Sequence, residues 1–250
     1  MFKLEKTYDF REILRNNMHT HTFFSRCSRP EMTLQAMIAE AEKAGLSTLA
    51  ITDHSDLNDG IDTYANTLIL KEQLRQIETP VRVLIGSELS AYGIGKFSEP
   101  YEVDKSLDYC NYTHVHYHCG YWEHPEDRSP RGYAQHMLAV LESLFETDRA
   151  DSIAHPFSPQ KMKFYNDEQK HATLAAITDN ELGDILWKGE QAQCAWEIHM
   201  PSFLNYPEFA RRLFHIGKEV GVHFNFGTDA HSLTYIATAD YLERMEQIVR

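Results

Sequence analysis

Six short stretches, spread along most of the chain, each finish in residue types that bind metal ions. They are Asn17-Met18-His19-Thr20-His21, Ile51-Thr52-Asp53-His54, Gly86-Ser87-Glu88, Val115-His116-Tyr117, Ala154-His155-Pro156 and Gly227-Thr228-Asp229-Ala230-His231, and most follow an apolar, β-branched run. On an extended strand residues i and i+2 share a face, so His19 and His21 point the same way and can hold one ion together. An open parallel sheet concentrates its site at one switch point, whereas a closed barrel brings the carboxyl ends of all its strands to one mouth. Ligands on six separate strand ends need a ring. With about seven strands countable, the expected fold is α/β, a seven-stranded (β/α)7 TIM-like barrel.

The segments between the strands agree with this. Residues 33–44 repeat Leu34, Met37, Ile38, Ala41 and Ala44 at helical spacing and run into Gly45, a natural stop. Further helices are expected over 64–77, 132–146, 167–177, 181–189, 206–220 and 236–249, and strands over 47–52, 81–85, 108–118, 151–154, 195–199 and 222–226. Pro207 at the first turn and Gly221 past the last are agreeing end signals for the helix between them. There is no internal repeat and no low-complexity linker, and 250 residues suit a single domain spanning 1–250.

A formal net charge of −13 would repel a polyanion, which argues against binding long nucleic acid through a basic surface. It leaves room for a small phosphorylated substrate, because bound cations reverse the field inside a cleft. The four cysteines, Cys27, Cys110, Cys119 and Cys194, form no Cys-x-x-Cys pair and read as reduced thiols of a cytoplasmic protein. The charged stretch from Met1 to Leu14 lacks a signal-peptide core, and no run approaches the roughly 18 apolar residues of a membrane span. A monomer or small homo-oligomer without membrane partners is expected.

The set His19, His21, His54, Glu88, His116, His155, Asp229 and His231 holds more ligands than one four-coordinate ion can use. Two or three divalent ions in a row, with a carboxylate such as Glu88 bridging, would account for the excess, and such clusters perform hydrolysis. In order and spacing these motifs, spanning residues 17–231, resemble those of the PHP (polymerase and histidinol phosphatase) superfamily. The resemblance implies a distorted barrel, a trinuclear Zn, Mn or Fe site and phosphoester hydrolysis. Carried over by position, His19, His21, Glu88 and Asp229 would bind the first ion and Glu88, His116 and His155 the second. His54 and His231 would serve the third.

The chain departs from that pattern at Cys27, where family members often place His or Asp. Cys27 is either a zinc-favouring ligand of the third ion or a small buried thiol. Val115-His116-Tyr117-His118 followed by Trp122 looks closest to the histidinol phosphatase branch, in which a lysine near Lys161 or Lys163 meets the substrate phosphate. A solvated surface position is the alternative for both lysines. Arg26, Arg128 and Arg131 are weaker candidates in loops. His199 is expected in the mouth as a substrate contact or as a structural histidine. His114 and His118 would share a face with His116 on a regular strand, and Asp53 is expected to orient a ligand histidine.

The reading is a metal-dependent phosphoesterase acting on a small phosphomonoester, with Glu88, Asp229 and His231 nearest the chemistry. Two alternatives stand beside it: a phosphodiesterase or exonuclease acting on short nucleotides or cyclic phosphates, and a non-catalytic metal-binding regulatory domain.

Overall fold

The computed structural model describes residues 4–55, 57 and 62–250; Met1 to Lys3, part of the charged amino-terminal stretch, lie outside them. The parallel strands are β1 (Asn16–Thr20), β2 (Thr48–Ser55), β3 (Arg82–Gly93), β5 (Cys110–Thr113), β6 (Ser152–Ile153), β7 (Ala195–His199) and β8 (Phe224–Gly227). A short β4 (Lys96–Phe97) folds back antiparallel on β3. Spatial order follows chain order, β1-β2-β3-β5-β6-β7-β8, and every pair on this path is parallel. The ring nearly closes where Thr20 bridges Ala230, the His21 N–H donating to the Ala230 carbonyl at 3.0 Å. The structure is thus a nearly closed barrel of seven parallel strands wrapped by helices.

Ten α-helices connect and cover the strands among the described residues: α1 (Phe10–Ile13), α2 (Leu34–Lys43), α3 (Thr63–Leu74), α4 (Tyr101–Ser106), α5 (Pro130–Phe145), α6 (Asp167–Ala175), α7 (Asp179–Gln191), α8 (Met200–Asn205), α9 (Pro207–Val220) and α10 (Leu242–Val249). Their ends are set by local chemistry. The Thr33 hydroxyl caps α2 by accepting from the Ala36 N–H, α6 and α7 open on capping boxes, and Gly221 ends α9 at φ 84°. The α2 residues Leu34, Met37, Ile38 and Ala41 pack with Leu49, Ile51 and Ile85 of β2 and β3. The larger cluster on the other side takes in α5, α7 and α9. None of these helices is long and apolar enough to cross a membrane.

Ala50 and Leu84, with Met18 and Tyr109, form a small apolar plug. Four residues further along the same strands stand His54 and Glu88, register partners on β2 and β3. The period of two keeps plug and ligands on one face, so the ligands sit roughly 13 Å above the plug, at the carboxyl end of the barrel.

Three elements differ from the sequence expectation. Strand pairing expected over 108–118 stops at Thr113, because its neighbour β6 has only two residues before the chain turns at His155 with φ 31°. The strand expected over 81–85 runs on to Gly93, since β4 gives its far half a partner. The last helix begins at Leu242 and not at Ile236, the intervening residues forming the turns Leu233–Tyr235 and Ala239–Tyr241.

Candidate metal centre

The Glu88 carboxylate is the hub. It is 1% exposed, and its two oxygens face opposite groups of imidazoles. Oε1 stands 2.7 Å from His155 Nε2 and 3.5 Å from His116 Nε2. Oε2 stands 2.8 Å from His54 Nδ1, 3.5 Å from His19 Nε2 and 3.8 Å from His21 Nε2. Asp229 closes the other side, its Oδ1 2.9 Å from His21 Nε2 and 3.5 Å from His19 Nε2.

Three groups of ligand atoms fall close enough together to share an ion: His19, His21 and Glu88; Glu88, His116 and His155; His21, His54 and His231. His21 Nδ1 faces Ser25 Oγ at 3.2 Å, which leaves its Nε2 to ligate. Cys27 extends the third group, its Sγ 3.0 Å from His231 Nε2. The cysteine is exposed, so it is not the small buried thiol of the alternative reading. Partial desolvation pushes its thiol up, but hydrogen bonds with His231 and His54 outweigh this and bring it down to about 6.

The atoms turned into the centre fit metal ions. His19 Nε2 and His199 Nε2 are buried with no hydrogen-bond partner among the described residues. Such atoms cost about 1–3 kcal/mol each when unsatisfied, and convergent imidazole and carboxylate lone pairs suit Zn, Mn or Fe.

Electrostatics agree. Burial opposes ionisation of Glu88, yet His54, His116 and His155 hold its carboxyl well below the usual range. Burial likewise works against Asp229, and His19, His199 and His21 hold it down. Burial keeps His21 and His116 well below the ordinary imidazole value, so both offer neutral lone pairs. For His19 burial is outweighed by Glu197 and Asp229, and for His54 by Glu88 and Cys27, so both lie well above it.

Local backbone is bent to present these groups. His155 and Asp229 have positive φ, 31° and 54°, a conformation that costs non-glycine residues of order 1–3 kcal/mol and is held only by its surroundings. One such support is Glu197 on β7, a residue that the strand-end reading passes over. Its Oε1 meets His19 Nδ1 at 2.8 Å and its Oε2 accepts the His155 N–H. The signal was present: Glu197 lies two residues before His199, on the same face, between the apolar Trp196 and Ile198.

His199 joins the cluster, with Nε2 3.5 Å from Asp229 Oδ2 and Nδ1 2.6 Å from Ser202 Oγ. Asp53 corrects an expectation, for it hydrogen-bonds no histidine among the described residues. Its carboxylate accepts from the Thr22 N–H at 2.8 Å, the Thr22 hydroxyl at 2.7 Å and the Ser25 hydroxyl at 2.7 Å. Alternation along β2 turns Asp53 away from His54, so it acts on His21 through Ser25.

His114 is set apart from the ligands. Its Nε2 accepts the Phe157 N–H at 3.4 Å and its ring stands edge-on to Phe157. Lys161, at the end of the turn Pro159–Lys161, is half-buried, and Lys163 is exposed. Burial first, then the charges of Lys161 and Lys163, hold the His118 imidazole down at about 4. Arg26 is exposed on the loop after β1. Arg131 is engaged away from the centre by Glu181 and by the Ala176 carbonyl at 2.6 Å, and Arg128 donates to the Tyr133 hydroxyl at 3.0 Å.

The PHP domain profile matches residues 17–181, which is more than half of the chain. The chain belongs to the PHP domain family. The matched span carries the ligands from His19 to His155, and Asp229 and His231 lie beyond it. A probable phosphatase of Aliivibrio fischeri is 26% identical to this PHP-domain chain over 236 residues, covering 89% of the chain and 80% of that protein. One of Vibrio parahaemolyticus is 25% identical over 232 residues, with the same coverage of each. A crystal structure of histidinol phosphate phosphatase from Lactococcus lactis, complexed with zinc, L-histidinol and phosphate, superposes with a TM-score of 0.67. It covers 94% of each chain at 18% identity and establishes the likeness of fold.

Proposed function

We propose that this chain is a metal-dependent phosphatase that hydrolyses a small phosphomonoester at a centre of two or three divalent ions. The single observation that carries this reading is Glu88, one buried carboxylate turned toward five imidazoles. That is the arrangement of a bridging ligand. When bound, such ions supply Lewis acidity and absorb charge on the phosphoryl oxygens. His19, His21, Glu88 and Asp229 would hold one ion, Glu88, His116 and His155 a second, and His54, His231 and Cys27 a third.

The remaining work falls to the chain itself. Glu197 fixes the His19 ring so that Nε2 faces inward. Lys161, whose charge acts on His116 and His118, would supply the counter-charge to the substrate phosphate. Lys163 and Arg26, both exposed, would be further substrate contacts. Asp229 or His231 would assist proton transfer to the leaving group. The relatives named as probable phosphatases, and a structural neighbour named for a phosphate ester, support the same chemistry. The four free cysteines fit a reducing cytoplasm.

The test is phosphate release from a panel of phosphomonoesters by protein loaded with zinc or manganese, with a chelated control. Chelator-sensitive release, abolished in Glu88→Ala, is expected. Equal release by metal-free protein, or unchanged turnover in Glu88→Ala, would overturn the proposal.

A further inference from the structure

Beside the metal centre, on the His231 flank, opens a cleft of about 570 Å³. Asp229, His231 and Cys27 form its inner wall, Met200, Pro201 and Leu204 an apolar side, and Tyr235 and Tyr241 a phenolic one. Two arginines, Arg29 and Arg244, also line it.

The charge pattern of this cleft is the opposite of the chain's. The whole protein carries −13, yet among the described residues the only carboxylate in the lining is Asp229, already committed to His19, His21 and His199. Arg244 has no carboxylate partner among the described residues, and Arg29 has one only at 4.0 Å, from the exposed Glu31. A guanidinium presents a planar fork of donors matched to carboxylate or phosphate oxygens. An ammonium group in this cleft would meet two positive charges and no free carboxylate among the described residues.

With the phosphoryl group over the ions and Lys161 on the His116 flank, the other part of a monoester has this cleft to occupy. We propose that the leaving group of the substrate carries its own anionic group, a carboxylate or a second phosphate, received by Arg244 and Arg29. This rests on the phosphatase reading and narrows it: amino-alcohol phosphates, histidinol phosphate among them, become poor substrates, and phosphorylated hydroxy acids or bisphosphates good ones. Arg244 and Arg29 are specificity-determining residues in this account, and both are exposed, so their replacement leaves the fold intact.

Hydrolysis-resistant phosphonates test the cleft without turnover. Calorimetric titration of metal-loaded protein would compare 3-phosphonopropionate and propane-1,3-bisphosphonate with propylphosphonate and 3-aminopropylphosphonate. The expected order is an anionic end tightest and the ammonium end weakest, with at least about tenfold between them. Arg244→Ala and Arg29→Ala should each shrink that ratio several-fold, and the double variant should abolish it. The stronger of the two anionic ligands distinguishes a carboxylate from a second phosphate. Equal binding of all four compounds, tighter binding of the amine, or an unchanged ratio in the double variant would overturn the inference while leaving metal-dependent phosphate release intact. Failure of every phosphonate to bind, together with no phosphate release from any ester, would overturn both readings.

Discussion

Glu197 Oε1 lies 2.8 Å from His19 Nδ1, and both side chains are sealed from solvent. A carboxylate in that position fixes which ring nitrogen carries the proton and leaves the other free to ligate. Partners of this kind typically account for 10–100-fold in metal affinity. Glu197→Gln should therefore bind its most weakly held ion about 10–100-fold less tightly, with the fold retained. Competition with a calibrated chelator measures this, and unchanged affinity would assign Glu197 to packing alone.

Gly227 is the reason the pair fits. A Cβ at this position would lie 1.7 Å from Glu197 Oε1 and 2.6 Å from His19 Cβ. Gly227→Ala should force both side chains aside, costing about 1–3 kcal/mol of stability and releasing metal. Thermal unfolding with and without added metal checks this, the expectation being a smaller metal-induced gain in Tm than for the parent.

Lys161 differs from Lys163 in burial and in reach, since its charge acts on His116 as well as His118. Lys161→Ala should raise KM for a phosphomonoester about tenfold, equivalent to about 1.4 kcal/mol, while Lys163→Ala should change it less than threefold. Steady-state kinetics on both variants decide whether one lysine or both meet the phosphate.

The Arg131–Glu181 pair ties the start of α5 to the start of α7. The Arg131 hydrogen bond, the largest cause, brings the Glu181 carboxyl down to about 2 from an ordinary 4.5. A depressed carboxyl stabilises the fold above its unfolded value, and that contribution drains away as the pH falls from about 4.5 toward 2. Both side chains are partly exposed, so the contribution is below about 1 kcal/mol. Glu181→Gln should lower Tm slightly at pH 7, by roughly 1–3 °C, and the gap should shrink through pH 3 and close near pH 2. Calorimetry at the two pH values checks the sign.

Periodicity and strand-end chemistry carried most of the fold. His19, His21, His54, Glu88, His116 and His155 were legible because alternation puts a residue at a strand end on a known face, and parallel strands bring such ends together. Glu197 was less legible because it lies inside its strand, where a charged residue reads as an interruption. His114 shows a second limit. Which way a side chain turns depends on where pairing stops, and that is fixed by the length of a neighbouring strand and by the positive φ of His155, neither visible in local spacing. The Arg29 and Arg244 cleft joins a loop residue near the start of the chain to a residue of α10 near its end, and no local pattern links them.

The seam between Thr20 and Ala230 has a consequence for how the protein is made. His19 and His21 stand on one side of it and Asp229 and His231 on the other, more than 200 residues apart in the chain. A partially synthesised chain without β8 has the whole Glu88, His116 and His155 group, but its His19, His21 and Glu88 group lacks Asp229 and its His21 and His54 pair lacks His231, so it can offer one complete ligand set early but not the row. The remaining ions bind only once the last strand has docked against the first, and each then fastens the two chain ends to one another. Metal occupancy is in that sense a record that folding has finished, and starvation for the metal should show first as opening at this seam.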